Sequence, residues 1–143
     1  MNKTYTATIY HNPKCGTSRN VLKVLQDASY DVTIIDYLSK GWNLDELKSL
    51  LQEAGLTAKM ALRINKTPAV ELGLTEEGVT EEDILIAMLE NPILVNRPIV
   101  KTNLGVKMCR PSEEVLSILE VWPAGPYFKE DGELMIDKDG NKK

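Results

Sequence analysis

The sequence predicts an α/β domain assembled as β-α-β, a helical block, and β-β-α. Three observations carry this reading. Two short β-branched runs, "TATIY" (6–10) and "VTIIDY" (32–37), flank an amphipathic stretch. Leucines at helical spacing then dominate from about residue 43 to about 91. After "NPILVNRP" the pattern returns to two short strands around "NLG", followed by a last apolar helical stripe.

The elements follow in order. "TATIY" is compact, β-branched and aromatic, the mark of a buried strand, and "HNPK" ends it with turn chemistry. Thr17 or Ser18 is the expected N-cap of the next helix, whose buried stripe is Val21, Leu22, Val24 and Leu25. "VTIIDY" forms the second strand, and a strand-helix-strand connection within one sheet makes the two strands parallel with a right-handed crossover. In the middle block Leu44, Leu47, Leu50 and Leu51, then "AKMALRIN", then "EEDILIAMLEN" are helical, punctuated by Gly55, Pro68, Gly73 and Gly78. "PIVKT" (98–102) and "VKMCR" (106–110) make an antiparallel hairpin about "NLG". A final helix begins near Pro111 or Ser112 and buries Val115, Leu116 and Leu119. The tail from about Trp122 is charged and rich in turn residues, so it is expected to pack loosely, with a short hairpin at Asp131-Gly132.

A length of 143 residues suits one domain, here with a helical insertion at about 43–91 and an extension from about 122. A net charge of -4 gives no general attraction to nucleic acid or to acidic membranes. The opening "MNKTYTATIYHNPKC" lacks the apolar core of a signal peptide, and no later run has the length to span a bilayer. A cytoplasmic location is therefore expected, without nucleic-acid or membrane partners. Cys15 and Cys109 lie far apart in sequence and make no disulfide framework, so each is read as a single thiol.

Cys15 precedes the first helix, where unpaired N–H groups and the helix dipole favour a thiolate. Structural cysteines usually sit within apolar runs, whereas Lys14, Gly16, Thr17 and Ser18 surround this one. It is the candidate nucleophile, and Cys109, beside Met108 in a strand, is read as packing. His11, the chain's one histidine, reads either as a turn residue or as a group tuning the thiol. With only Cys15 nearby it has no companions for a metal site. The chain carries thirteen lysines but four arginines, Arg19, Arg63, Arg97 and Arg110, so each arginine calls for a reason. A guanidinium presents a planar fork of donors to a tetrahedral oxyanion, which lysine does not. Arg97 and Arg110 stand at the two ends of the predicted hairpin, which should bring them together. Arg63 closes a predicted helix, where a dipole-complementing charge is the plain alternative. Arg19 is expected to face solvent. The fifth residue after Cys15 is Asn20 and the sixth is Val21, so the Cys-x5-Arg loop of tyrosine-type phosphatases is absent, as are Walker and dinucleotide glycine motifs.

"YHNPKCGTSRN", "ALRIN", "NPILVNRPIV" and "MCRPSEEVL", in this order and at these distances, resemble the glutathione- and glutaredoxin-coupled arsenate reductases, and the match extends to about Leu119. The resemblance implies a thioredoxin-like fold with a four-stranded mixed sheet and a cis-proline at Pro98. It implies that Cys15 attacks arsenate to give a thioarsenate, with His11 lowering the thiol's pKa and Ser18 assisting. Arg63, Arg97 and Arg110 match the family's anion-binding arginines. Arsenate would be the substrate, glutathione the co-substrate and glutaredoxin the partner that resolves the mixed species, with no bound cofactor and no metal. One internal cysteine then suffices, because the other thiols come from outside. Two other classes share features with the chain. Spx-type regulators have this fold and bind RNA polymerase, but a purely binding role leaves the arginine set without a purpose. "CGTS" is similar to the "CGFS" of cluster-binding monothiol glutaredoxins, yet position 17 is Thr, and a cluster carrier has no use for the long helical block or the arginines.

Overall fold

The computed structural model describes residues 4–142. These fall into two compact units, one holding the chain up to Asp36 together with everything from Arg97 onward, the other Tyr37–Asn96.

In the first unit, strand β1 (Thr6–His11) pairs in parallel with β2 (Asp31–Asp36), joined through helix α1 (Gly16–Asp27). Strands β3 (Ile99–Thr102) and β4 (Gly105–Met108) form the antiparallel hairpin, and β3 lies antiparallel against β1. The sheet order is β2-β1-β3-β4, the four-stranded mixed sheet expected. Both strand pairs fall within a residue or two of the spans read from sequence. Helix α1 buries Ser18, Val21, Val24 and Leu25, a spacing of three and four that keeps one face on the sheet. The Arg97-Pro98 peptide is cis, as are Arg110-Pro111 and Gly125-Pro126.

Three details of this unit differ from the sequence reading. The helix cap is Cys15, not Thr17 or Ser18. Ser18 is fully buried inside the helix, and its hydroxyl accepts a hydrogen bond from Asn12 N at 3.4 Å, so it ties down the preceding loop instead of capping. The last helix, Ser112–Ile118, is a 3₁₀ helix. Its buried residues are Ser112, Val115, Leu116 and Ile118, and three of them, Ser112, Val115 and Ile118, recur every three residues and align on one edge at 3₁₀ pitch.

The third difference is the tail, which is packed. Strands β5 (Tyr127–Phe128) and β6 (Leu134–Ile136) form the hairpin expected around Asp131-Gly132, and Met135 and Ile136 are fully buried in the same core as Ile9 and Leu25. Hydrogen bonds fasten the route into it: Trp122 Nε1 to Leu116 O at 3.0 Å and Glu120 N to Tyr30 Oη at 2.8 Å. A Cβ on Gly125 would stand 1.8 Å from the Asp137 carbonyl oxygen, so glycine is what lets this segment lie against the end of the hairpin.

The second unit is the helical block. It contains α2 (Tyr37–Lys40), α3 (Leu44–Glu53), α4 (Ala58–Ala61) and α5 (Glu81–Glu90), and a 3₁₀ turn at Pro92–Leu94. Capping sets the boundaries. Asn43 accepts from Asp45 N and Glu46 N, Thr57 accepts from Met60 N, and Thr80 with Asp83 forms a capping box. Leu47, Leu51, Leu85 and Met88 fill its interior. The "AKMALRIN" helix is shorter than expected. It stops at Ala61 because Leu62 turns extended and bridges Val95, while Arg63 N donates to Leu94 O at 2.7 Å. Arg63 therefore follows an extended residue and does not close a helix.

Candidate active site

The loop between β1 and α1 carries the nucleophile candidate, and its own backbone shapes it. Cys15 N donates to Asn12 O at 3.0 Å, Lys14 N to Asn12 Oδ1 at 3.0 Å, and Arg19 N to Cys15 O at 3.0 Å. The first pair forms a turn and the last begins the helical ladder, so Cys15 is placed at the positive end of a twelve-residue helix. Asn12 is almost fully buried, and its part in this turn was not assigned from sequence; the Asn-Pro pair was the available signal.

The hairpin brings two arginines to the sulfur. Cys109 N donates to Pro98 O at 2.9 Å, which carries the ladder of β3 and β4 past Ile99 and Met108 and sets Arg97 beside Arg110. Arg110 Nη1 donates to Arg97 O at 3.0 Å and lies 3.6 Å from Cys15 Sγ. Arg97 is buried. Burial raises the Cys15 thiol's pKa, but the Ser18 amide and the Arg97 and Arg110 guanidiniums outweigh it and bring the thiol down to about 7. Cys109 is the reverse case. Burial pushes it up to about 12, Lys107 pulling weakly the other way, and its Sγ rests 3.6 Å from Lys107 O.

His11 ends β1 and is buried, with its Nδ1 lacking a hydrogen-bond partner among the described residues. Burial lowers its pKa, with Asp36 raising and Arg19 lowering it, so the imidazole is neutral at pH 7. Cys15, Ser18, Arg97, Arg110 and His11 all belong to the first unit. Arg63 belongs to the second, where its Nε donates to Asn65 O at 3.2 Å. Among the described residues no group of three or more His, Cys, Asp or Glu side chains has the arrangement of a metal site, and no helix is long and apolar enough to cross a membrane.

The family model described as "ArsC family" matches residues 10–118. The chain belongs to the ArsC family. It is 57% identical over 134 residues to an arsenate reductase of Synechocystis sp., covering 94% of this chain and 96% of that protein. An arsenate reductase of Escherichia coli K12 is 47% identical over 135 residues, covering 94% of this chain and 96% of that one. Among solved structures, an arsenate reductase from Vibrio cholerae superposes with a TM-score of 0.77 at 36% identity, covering 82% of this chain and all of that one.

In this ArsC-family chain Arg19 is exposed, as expected from sequence, and it is also paired. Its Nε and Nη2 donate to the two carboxylate oxygens of Glu130, at 3.1 and 2.6 Å, and its Nη1 donates to Pro13 O at 3.0 Å. The side chain is half-exposed yet held at three points. No sequence signal links it to Glu130, because the pair is 111 residues apart and the charged, turn-rich tail carrying Glu130 has no marked apolar pattern.

Proposed function

We propose that this chain reduces arsenate to arsenite, with Cys15 as nucleophile and glutathione and glutaredoxin as the external reductants. The observation that carries the reading is the approach of Arg110 Nη1 to Cys15 Sγ at the N-terminus of α1, beside the buried Arg97. A thiolate and forked cations on one small site suit attack on a tetrahedral oxyanion: the cations bind the anion and offset its repulsion of the sulfur. The names of the relatives add arsenate as the substrate.

In the proposed sequence the Cys15 thiolate forms an S–As bond and an arsenate oxygen leaves as water, taking up protons and giving a thioarsenate with arsenic still pentavalent. Glutathione replaces a second oxygen through its sulfur. The glutaredoxin thiolate then attacks the glutathione sulfur, a mixed disulfide forms, and the S–As electron pair passes to arsenic, which becomes trivalent. Water releases arsenite and restores the Cys15 thiolate. The two electrons come from the two external thiols, so no bound cofactor is required.

Ser18 supports the nucleophile through its amide and through the hydroxyl that anchors Asn12 N. His11 is assigned the role of neutral wall at the base of the loop, and Arg63 that of a third anion-binding fork on the strength of the "ALRIN" resemblance. The test is NADPH oxidation coupled through glutathione reductase, glutathione and glutaredoxin. Arsenate-dependent turnover is expected only with all three present. Turnover supported by a thioredoxin system alone would overturn the coupling, and no turnover with either would overturn arsenate as substrate.

A further inference from the structure

The Arg19 guanidinium joins two segments from the opposite ends of the chain. Its outer edge holds Glu130, in the turn of the β5-β6 hairpin, and its Nη1 holds the carbonyl of Pro13, two residues before Cys15. Asn20, the next residue of α1, accepts from Glu130 N at 2.9 Å, so consecutive helix residues grip the same hairpin residue. Glu130 also lies against the residue following the nucleophile, since a Cβ on Gly16 would stand 3.1 Å from Glu130 Oε1.

We propose that Arg19 and Glu130 form a clamp through which the C-terminal hairpin fixes the Pro13–Cys15 loop, making Arg19 a positioning residue for the nucleophile. The loop is held on its inner side by Ser18, whose hydroxyl accepts from Asn12 N, and the clamp supplies the matching outer tie. Exposed ion pairs contribute little to global stability, so the effect of this one lies in geometry. The Pro13 carbonyl is fixed by the same planar fork that a bidentate carboxylate holds rigid. The sulfur's own surroundings are Arg97 and Arg110 from the hairpin β3-β4, the Ser18 amide from α1, and the charge of Arg19, to which Glu130 is the counter-charge.

The clamp and a plain charge effect move the Cys15 titration in opposite directions. Removing a nearby carboxylate electrostatically favours a thiolate and lowers its midpoint, whereas releasing the loop weakens the contacts that ionise the sulfur and raises it. The experiment is the pH dependence of Cys15 alkylation by iodoacetamide in the full chain, for Glu130→Ala, Arg19→Lys and the double variant. The expected result is an upward shift in both single variants, by about half a pH unit, with the double variant no worse than the larger single, as for partners in one interaction. Tyr127→Phe is the control: it removes the hydroxyl that donates to Asp27 Oδ2 between hairpin and helix without touching Pro13, so it should lower the melting temperature and leave the midpoint unchanged. A downward or absent shift in Glu130→Ala, no shift in Arg19→Lys, or an equal shift in Tyr127→Phe overturns the clamp. The inference rests on Cys15 as nucleophile, but alkylation reports the thiolate whether or not arsenate is reduced, so the two readings fail separately.

Discussion

Arg110 Nη1 lies 3.6 Å from Cys15 Sγ across 95 residues of sequence, and the same nitrogen donates to the carbonyl of Arg97 at 3.0 Å. One guanidinium nitrogen thus ties the Cys15 loop to the entry of β3. The arrangement makes the cation's direction matter as well as its charge. A lysine ammonium at this place keeps the charge and loses the planar fork of donors.

Arg97→Lys and Arg110→Lys are therefore expected to lower arsenate kcat/KM by roughly one to two powers of ten, the loss of a charge-assisted hydrogen bond of about 1.5–3 kcal/mol. Arg63→Lys should fall in the same range if that side chain supplies the third fork. Steady-state kinetics in the coupled assay measure this. Wild-type kcat/KM in all three variants would leave only a diffuse anionic preference and remove the forked site.

The two cysteines should separate cleanly by reactivity. Cys15, with a pKa of about 7, is expected to alkylate with a midpoint below that of a free thiol, near 8.5, while Cys109, pushed up to about 12 and buried, stays unlabelled in the native protein. The signs oppose in stability as well. A lowered folded pKa makes the Cys15 contribution present above the unfolded thiol's pKa and lost as pH falls through about 7; the raised pKa of Cys109 costs stability as pH climbs past the unfolded value. Peptide mass spectrometry after timed alkylation distinguishes the two sites. Cys15→Ser should abolish turnover and Cys109→Ser should keep most of it; equal losses would mean that two internal thiols cooperate.

His11 offers a test free of overlap, because it is the one histidine in the chain. Burial lowers its pKa, so its ring signals in proton NMR should titrate with a midpoint below 6.5. A folded pKa below the unfolded one contributes stability that is full above pH 6.5 and is lost as pH falls through the folded value. Urea unfolding at several pH values between 7.5 and 5.5 should show this loss in the wild type and a flatter profile in His11→Gln. A midpoint at or above 6.5 would place a counter-charge on the ring and return it to the role of cationic tuner of Cys15.

Much of the fold was legible because its signals are local. β-branched runs marked β1 and β2, leucine spacing marked α3 and α5, and the two proline-flanked arginines marked the ends of the β3-β4 hairpin. Cys15 was legible for the same reason, as a polar-flanked thiol before an amphipathic stripe. The errors arose where a distant partner decides local structure. Ser18 does not cap because Asn12 engages its hydroxyl. The "AKMALRIN" helix stops early because Leu62 pairs with Val95. Arg19 faces solvent as expected, but its pairing was not legible because Glu130 returns from the tail. Charge and turn residues made that tail look solvated, and the three apolar residues of "LMI" were too short a run to argue otherwise.

The packed tail yields the last prediction. Ile136 is fully buried in the core shared with α1, whereas Phe128, in the partner strand of the same hairpin, is 50% exposed. Truncating a buried aliphatic side chain loses its transfer free energy and leaves a cavity, typically about 2–5 kcal/mol for isoleucine to alanine. Ile136→Ala should therefore lower the urea midpoint substantially, and Phe128→Ala should shift it little, although phenylalanine is the larger side chain. The contrast excludes a nonspecific effect of altering the tail, since both changes fall in one small sheet. If the two variants unfold at the same urea concentration, the hairpin is not part of the core. If only Ile136→Ala is destabilised, the segment after Trp122 belongs to the folding unit that carries Cys15, and the Arg19–Glu130 contact rests on a rigid support.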